Sequence, residues 1–534
     1  MRKLLVTASL FAALTAAAQF KPEAIRAHMR FLASDLLEGR GAGTRGYDLA
    51  AEYVASQYAA FGLEPGNGDS YFQQVPFRKT RVQPASTMTV TPKGGQPIEL
   101  KFGEGFSSGG DALNADRAFE GDVVFVGYGI TAPEQSYDSY KSVDVRGKIV
   151  AIFSGAPKTF PNALRAHYSS STNKIENAAA HGAVGYIGLT TPTDAARYPF
   201  PRVVRQHALG AMHWLRADGT PSSVDPNISA TASLSPTGME TLFTGSPTKL
   251  ADVIKSVDEG KPSSFALPVH AKYRIVSTHE KVSSPNVVGI VRGSDPKLRD
   301  EYLVYSSHLD HLGISEPVDG DAINNGALDN ASGIGATLEI ARVMAELKPH
   351  PKRSVLFLAT TAEEKGLRGA DYFATNPTVP KANIVGNINI DEIWMLVRTR
   401  DLVALGAETN DLGDTAARIA KAMKFDLSPD PFPEEVFFVR SDQYPFVKQG
   451  IPAIYVGVGY KAVDPNVDAA KIQEQWMVER YHNPKDDMTQ PMNFDVAVML
   501  TEFNYRLGLE VANAPNRPRW KPGDFFGEKF GKNR

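Results

Sequence analysis

The feature that most limits the fold of this chain lies in its second half. From about residue 285 the apolar residues stop alternating and come in short continuous runs: VVGIV at 287–291, YLVYSS at 302–307, SVLFLATT at 354–361, NIVGNINI at 383–390 and IPAIYVGV at 451–458. A strand covered on both faces reads this way, whereas a strand with one wet face alternates. Between the runs, apolar residues return at helical spacing, as in Ile334, Leu338, Ala341 and Ala345. Strand and helix therefore take turns, which predicts an α/β fold with a mixed, mostly parallel sheet flanked by helices.

The first half has a different grammar. Helical spacing over 22–63 is interrupted by the glycine-rich GRGAGTRG, and 70–110 alternates in the manner of short strands. Strand-like VVFVG, KIVAIF and VGYIGL, with a helical NKIENAAAHGA among them, then define a β-rich insert over residues 116–267. The expected organisation is a leader at 1–18, a first part of the main domain at 19–115, the insert at 116–267 and the rest of the main domain at 268–534. Arg2 and Lys3, an apolar stretch over 4–14 and Ala16-Ala17-Ala18 have the order of a cleaved secretory signal. That order predicts a periplasmic or secreted protein with no membrane span. A net charge of -3 gives no basic field for nucleic acid.

The absence of cysteine removes thiolate metal sites and cysteine nucleophiles together, so any metal must sit on His, Asp and Glu. Residues of those types follow the apolar runs directly: His308-Leu309-Asp310, Ala362-Glu363-Glu364 and Asp391, with Asp329 just ahead of a helix and Tyr481-His482 ahead of Asn483-Pro484. Each piece alone is common surface chemistry. Together they fall where an open α/β sheet collects its ligands, at the carboxyl ends of strands. Two histidines with three carboxylates hold two zinc ions if one carboxylate bridges. Asp310, two positions after His308, is placed to fix the imidazole tautomer, and one of the adjacent glutamates is free to act as general base.

Other motif matches fail on context. Gly105-Phe106-Ser107-Ser108-Gly109 has the spacing of a nucleophile elbow, but no helical pattern follows it. Gly127-Tyr128-Gly129 meets Pro133 too early for a dinucleotide loop, and His279-Glu280 lacks the second histidine of a zincin helix. The aromatic C-terminal RPRWKPGDFFGEKF is expected to pack on the main domain.

SHLDHLG, NGALDNASG, ATTAEEKGLRGA, NINIDE, RSDQYPF and ERYHNPKDD, in this order, resemble the motifs of the zinc exopeptidases of metallopeptidase family twenty-eight, typified by bacterial leucyl aminopeptidase. The insert resembles the protease-associated domain found in many members. The resemblance implies the zinc exopeptidase fold, a peptide substrate and two zinc ions. It implies His308 and Asp391 on one ion, Glu364 and His482 on the other, and Asp329 bridging them. Glu363 matches the general base and Tyr481 the oxyanion-stabilising tyrosine, with a cis Asp329–Asn330 peptide expected. Gln443 stands where relatives often have histidine, which bears on substrate contacts rather than on metal, and Arg440 of the same motif is a candidate substrate contact or, equally, a surface salt bridge. Three alternatives share parts of this pattern: a carboxypeptidase of the glutamate carboxypeptidase type, a glutaminyl cyclase, and a transferrin-receptor-like binding protein without catalysis. The complete five-ligand set favours the aminopeptidase over the last two.

Overall fold

The computed structural model describes residues 20–533, and the leader expected at 1–18 lies outside them. The continuous apolar runs form the centre of one sheet. Ser354–Thr360, Tyr302–His308, Ile384–Asn389 and Ala453–Val458 lie side by side and parallel, in that spatial order. The first two are buried along their whole length, as a doubly covered strand must be. Antiparallel strands close both flanks: Phe265–Val291 pairs with Ser354–Thr360 at one side, and Asp401–Leu405 with Ala453–Val458 at the other. The sheet is thus mixed and mostly parallel.

Helices cover both faces. Pro22–Leu32, Arg45–Phe61, Gly333–Glu346 and Phe494–Asn513 pack their apolar stripes on one side. Phe373, Phe446 and Phe526 carry three shorter helices onto the other. The C-terminal aromatics do pack here: Phe526 is fully buried and the Trp520 indole donates to the Gly450 carbonyl at 2.9 Å.

A second sheet stands beside the first, and the boundary between them differs from the expected one. Asp116–Phe125, Ile149–Phe153, Gly185–Leu189 and Thr231–Leu234 belong to it, but so do Thr87–Pro92 and Ile98–Leu100, which precede residue 116. Conversely Ala211–Trp214, from the middle of the expected insert, pairs with Phe72–Val82 in the main sheet. The cause is one strand, Phe265–Val291, 27 residues long. Its first half pairs with Thr87–Pro92 and Asp116–Phe125, its second half with Phe72–Val82 and Ser354–Thr360. Alternation in 70–110 marks strands but carries no record of which half of that partner each strand joins. Among the described residues no helix is long and apolar enough to cross a membrane.

Three histidines in the insert region are kept neutral by burial: His167 is pushed down to about 3, His207 to about 4 and His213 to about 3. His167 Nδ1 lies 2.6 Å from the Tyr444 hydroxyl, bridging insert and main domain. The unfolded chain takes up protons at these imidazoles near their ordinary 6.5, and the folded chain only at the lower values. Their contribution to stability is therefore complete above 6.5 and is lost as the pH falls toward about 4, by at least about 2 kcal/mol. Urea unfolding at neutral and acid pH measures it, and a His167→Gln/His213→Gln variant should lose less. An identical pH slope in that variant would contradict the assignment.

Candidate metal centre

Three of the four parallel strands deliver the residues at their C-terminal ends to one point. His308 is the last residue of its strand, Asp391 follows Ile384–Asn389 by two positions, and Glu363 and Glu364 follow Ser354–Thr360. Asp329 sits in the irregular turn Ala327–Ser332 that opens Gly333–Glu346. His482 comes from the far end of the chain, after Ala469–Glu479.

All five predicted ligands meet. His308 Nε2 is 3.2 Å from Asp329 Oδ1 and 3.0 Å from Asp391 Oδ1. His482 Nε2 is 3.3 Å from Asp329 Oδ2 and 3.0 Å from Glu364 Oε2. Two donor triads therefore share Asp329, each using a different carboxylate oxygen. The Asp329–Asn330 peptide is cis, as the resemblance implies. Gly326 begins this turn at φ +60°, where a Cβ would lie 2.2 Å from the Asp329 carbonyl oxygen, so only glycine lets the turn close.

Neighbouring groups fix these ligands. The Asp486 carboxylate accepts the backbone N–H groups of Leu328 and Asp329, each at 3.0 Å. The Ser441 hydroxyl donates to Asp391 Oδ2 at 2.5 Å. Buried Arg40, from the glycine-rich loop, donates to the carbonyls of Leu309 and Gly326 at 3.0 and 3.1 Å and so ties the His308 and Asp329 segments together. Asp310 departs from its expected role. The backbone carbonyl of Asp310, not its carboxylate, faces His308 Nδ1, at 3.1 Å. The carboxylate instead accepts the N–H groups of Glu363 and Glu364 at 3.0 and 3.4 Å, because the chain turns sharply after Ser354–Thr360 and leaves those amides without sheet partners. It orients the glutamate pair rather than the histidine.

Sequence reasoning gave no role to Arg40 or Asp486, and gave His311 only a place behind the ligands or lining the site. His311 is fully buried with Nδ1 2.7 Å from Glu364 Oε1 and 3.8 Å from Asp329 Oδ2. A second cluster of possible ligands accordingly contains His311, Asp329 and Glu364, beside His308, Asp329 and Asp391. The motif SHLDHLG shows His311, but nothing local shows that it turns toward Glu364. Ser107 of the nucleophile-elbow match is buried with its hydroxyl 2.8 Å from His207 Nδ1, away from these clusters.

The centre is crowded with acid. Burial pushes Asp310 up to about 6, Asp442 to about 7 and Asp486 to about 6. Glu363 is raised well above the carboxylate range by burial, although His308 pulls it down, and Glu364 and Asp391 add to the rise. So much buried negative charge on oxygen and imidazole donors fits divalent cations, and zinc in particular accepts this nitrogen and oxygen set.

Tyr481 stacks on the His482 ring at 3.8 Å between centroids. Arg440 donates to the Tyr481 hydroxyl at 3.0 Å, to the Tyr198 hydroxyl at 3.2 Å and to Glu435 at 3.0 Å, which makes it a half-buried bridge to the insert. Gln443 is buried, accepts from Asn389 Nδ2 at 2.9 Å and donates to the Phe438 carbonyl at 2.8 Å, with no place among the donors. A cleft of about 800 Å³ opens from Tyr481 and His482 and is lined on its other wall by insert residues such as Tyr128, Arg165 and Tyr198.

An open α/β sheet with strand-end His, Asp and Glu clusters defines the zinc exopeptidase class of fold. The aminopeptidase from Aneurinibacillus sp. strain AM-1 shares it, with a TM-score of 0.53 at 19% identity over 92% of this chain and 94% of that one. Residues 286–502 match the family model of Peptidase family M28. A probable zinc metalloprotease of Pyrenophora teres f. teres is 28% identical over 44% of this chain and 50% of its own length. The aminopeptidase NAALADL1 of Mus musculus is 34% identical over 22% of this chain and 15% of its own length. The chain spans about half the length of the first of these curated relatives.

Proposed function

We propose that the chain is an exported two-zinc aminopeptidase that hydrolyses the N-terminal peptide bond of peptides. The observation that carries this reading is the pair of donor triads joined through the two oxygens of Asp329. In it His308 and Asp391 would hold one ion and Glu364 and His482 the other, with Asp329 offering one oxygen to each. When bound, such a pair acidifies a water and polarises the scissile carbonyl.

The side chains then divide the proton work. Glu363 takes a proton from the attacking water and passes it to the amine that leaves, a role that burial favours by raising its affinity for that proton. Asp310 holds the Glu363 and Glu364 backbone while this happens. The Tyr481 hydroxyl accepts from Arg440, so its own proton is free to point at the developing oxyanion. Burial keeps that hydroxyl protonated by raising it well above its usual range. Tyr481→Phe is expected to lower kcat by about 100-fold or more with a small change in KM. Steady-state kinetics at matched zinc content measure this, and an unchanged kcat would remove Tyr481 from the reaction.

The relatives named as a zinc metalloprotease and an aminopeptidase support the peptide substrate and the metal. Export is proposed on the charged, apolar and small-residue order of residues 1–18. N-terminal sequencing of the protein recovered outside the cytoplasm tests it. A panel of free and N-acetylated aminoacyl chromogenic substrates, with zinc measured in parallel, tests the activity. Cleavage of free substrates alone, at two zinc ions per chain, is the expected result, and equal cleavage of acetylated ones would refute an aminopeptidase.

A further inference from the structure

The space around His482 has a second branch. It measures about 220 Å³ and runs between the Phe200–Ala208 helix and the Gly313–Val318 and Asp321–Asn324 hairpin. Three arginines line it: Arg81 at the end of Phe72–Val82, and Arg202 and Arg205 one helical turn apart. The single acid on its wall is the exposed Glu316.

Arg202 is engaged, donating to the Tyr481 carbonyl at 3.1 Å and lying over the Tyr198 and Tyr481 rings. Arg81 and Arg205 are exposed, and neither has a carboxylate within 4.0 Å among the described residues. Nearby cations deepen the imbalance. Burial lowers Arg202, with Arg440 and Arg205 adding to the effect. A strongly acidic centre is thus joined, through the single residue His482, to a branch of the opposite sign.

A peptide whose N-terminus lies at the metal centre has only two kinds of anion to offer downstream: its own C-terminal carboxylate, or an Asp or Glu side chain. Each extended residue advances the chain by only ~3.5 Å, so a branch that begins at a metal-centre histidine is reached within a residue or two of the scissile bond. Guanidinium groups match the planar carboxylate with paired hydrogen bonds. Resting on the aminopeptidase reading above, we propose that Arg81, Arg202 and Arg205 form a carboxylate-binding subsite downstream of the scissile bond, and that its occupant is the C-terminal carboxylate of a di- or tripeptide.

The test is binding rather than turnover. Zinc-loaded Glu363→Gln protein is titrated calorimetrically with Leu-Gly-Gly, with its C-terminal amide, and with Leu-Asp-Gly amide. The free acid should bind about 5-fold or more tightly than its amide, an advantage that shrinks as salt is raised. Adding Arg81→Ala and Arg205→Ala should remove the advantage, and Arg205→Glu should reverse it; thermal unfolding checks that these exposed substitutions leave the fold intact. Equal affinity for acid and amide, or an advantage that survives the double substitution, overturns the subsite. Leu-Asp-Gly amide binding as well as the free acid overturns the C-terminal carboxylate as occupant in favour of an acidic side chain. Binding as expected in a protein whose parent cleaves no free N-terminal substrate overturns the aminopeptidase reading and leaves the subsite standing.

Discussion

On the two-zinc reading proposed above, Glu363→Gln is expected to leave the bound metal in place and to lower turnover by at least about 100-fold. The amide keeps the size and burial of the carboxylate but cannot accept the proton that attack by water releases. Nothing in the donor geometry depends on Glu363: the distances that define the two triads run between His308, Asp329 and Asp391, and between His482, Asp329 and Glu364. Zinc content by mass spectrometry should therefore match the parent protein while kcat collapses. Turnover within a factor of about two of the parent would assign the base elsewhere, and loss of zinc would make Glu363 a ligand.

Asp329→Ala has the opposite signature, because metal goes first. Its two oxygens face separate imidazoles, so one substitution opens both triads. Zinc affinity is expected to fall by at least about 100-fold at one site or both, with activity following the metal. Competition with a chromophoric chelator measures the affinity directly. Retention of two tightly held ions would show that Asp329 does not bridge. The contrast between the two variants, metal kept without turnover against metal lost, separates a base from a bridge more clearly than activity does alone.

The parallel strands were legible because three of the four are buried along their whole length: YLVYSS and SVLFLATT need no partner to be recognised. The five candidate ligands could be picked out because each closes or follows one of those runs, or precedes a marked turn or helix. What escaped was set by partners far away in the chain. Arg40 bonds to a carbonyl 269 residues on, and Asp486 to an amide 157 residues back. No local pattern records such pairings. Asp310 was assigned to the nearer group, the His308 ring, when its carboxylate serves amides 53 and 54 residues ahead. The pairing of Thr87–Pro92 with the strands that follow residue 116 escaped for a related reason. Phe265–Val291 alternates in its first half and is buried throughout its last residues, so it reads as two strands, and Pro285 within it reads as a break.

That strand also limits how the insert can evolve or move. Both sheets hang on a single continuous backbone, with Thr87–Pro92 and Asp116–Phe125 on one stretch and Ser354–Thr360 on the next. Excising 116–267 would strip hydrogen-bonding neighbours from Phe72–Val82 and from the strand itself, leaving raw edges prone to sticking to other chains. The insert resembles less a lid on a pivot than the far arm of a rigid beam whose near arm carries the His308 strand's neighbour.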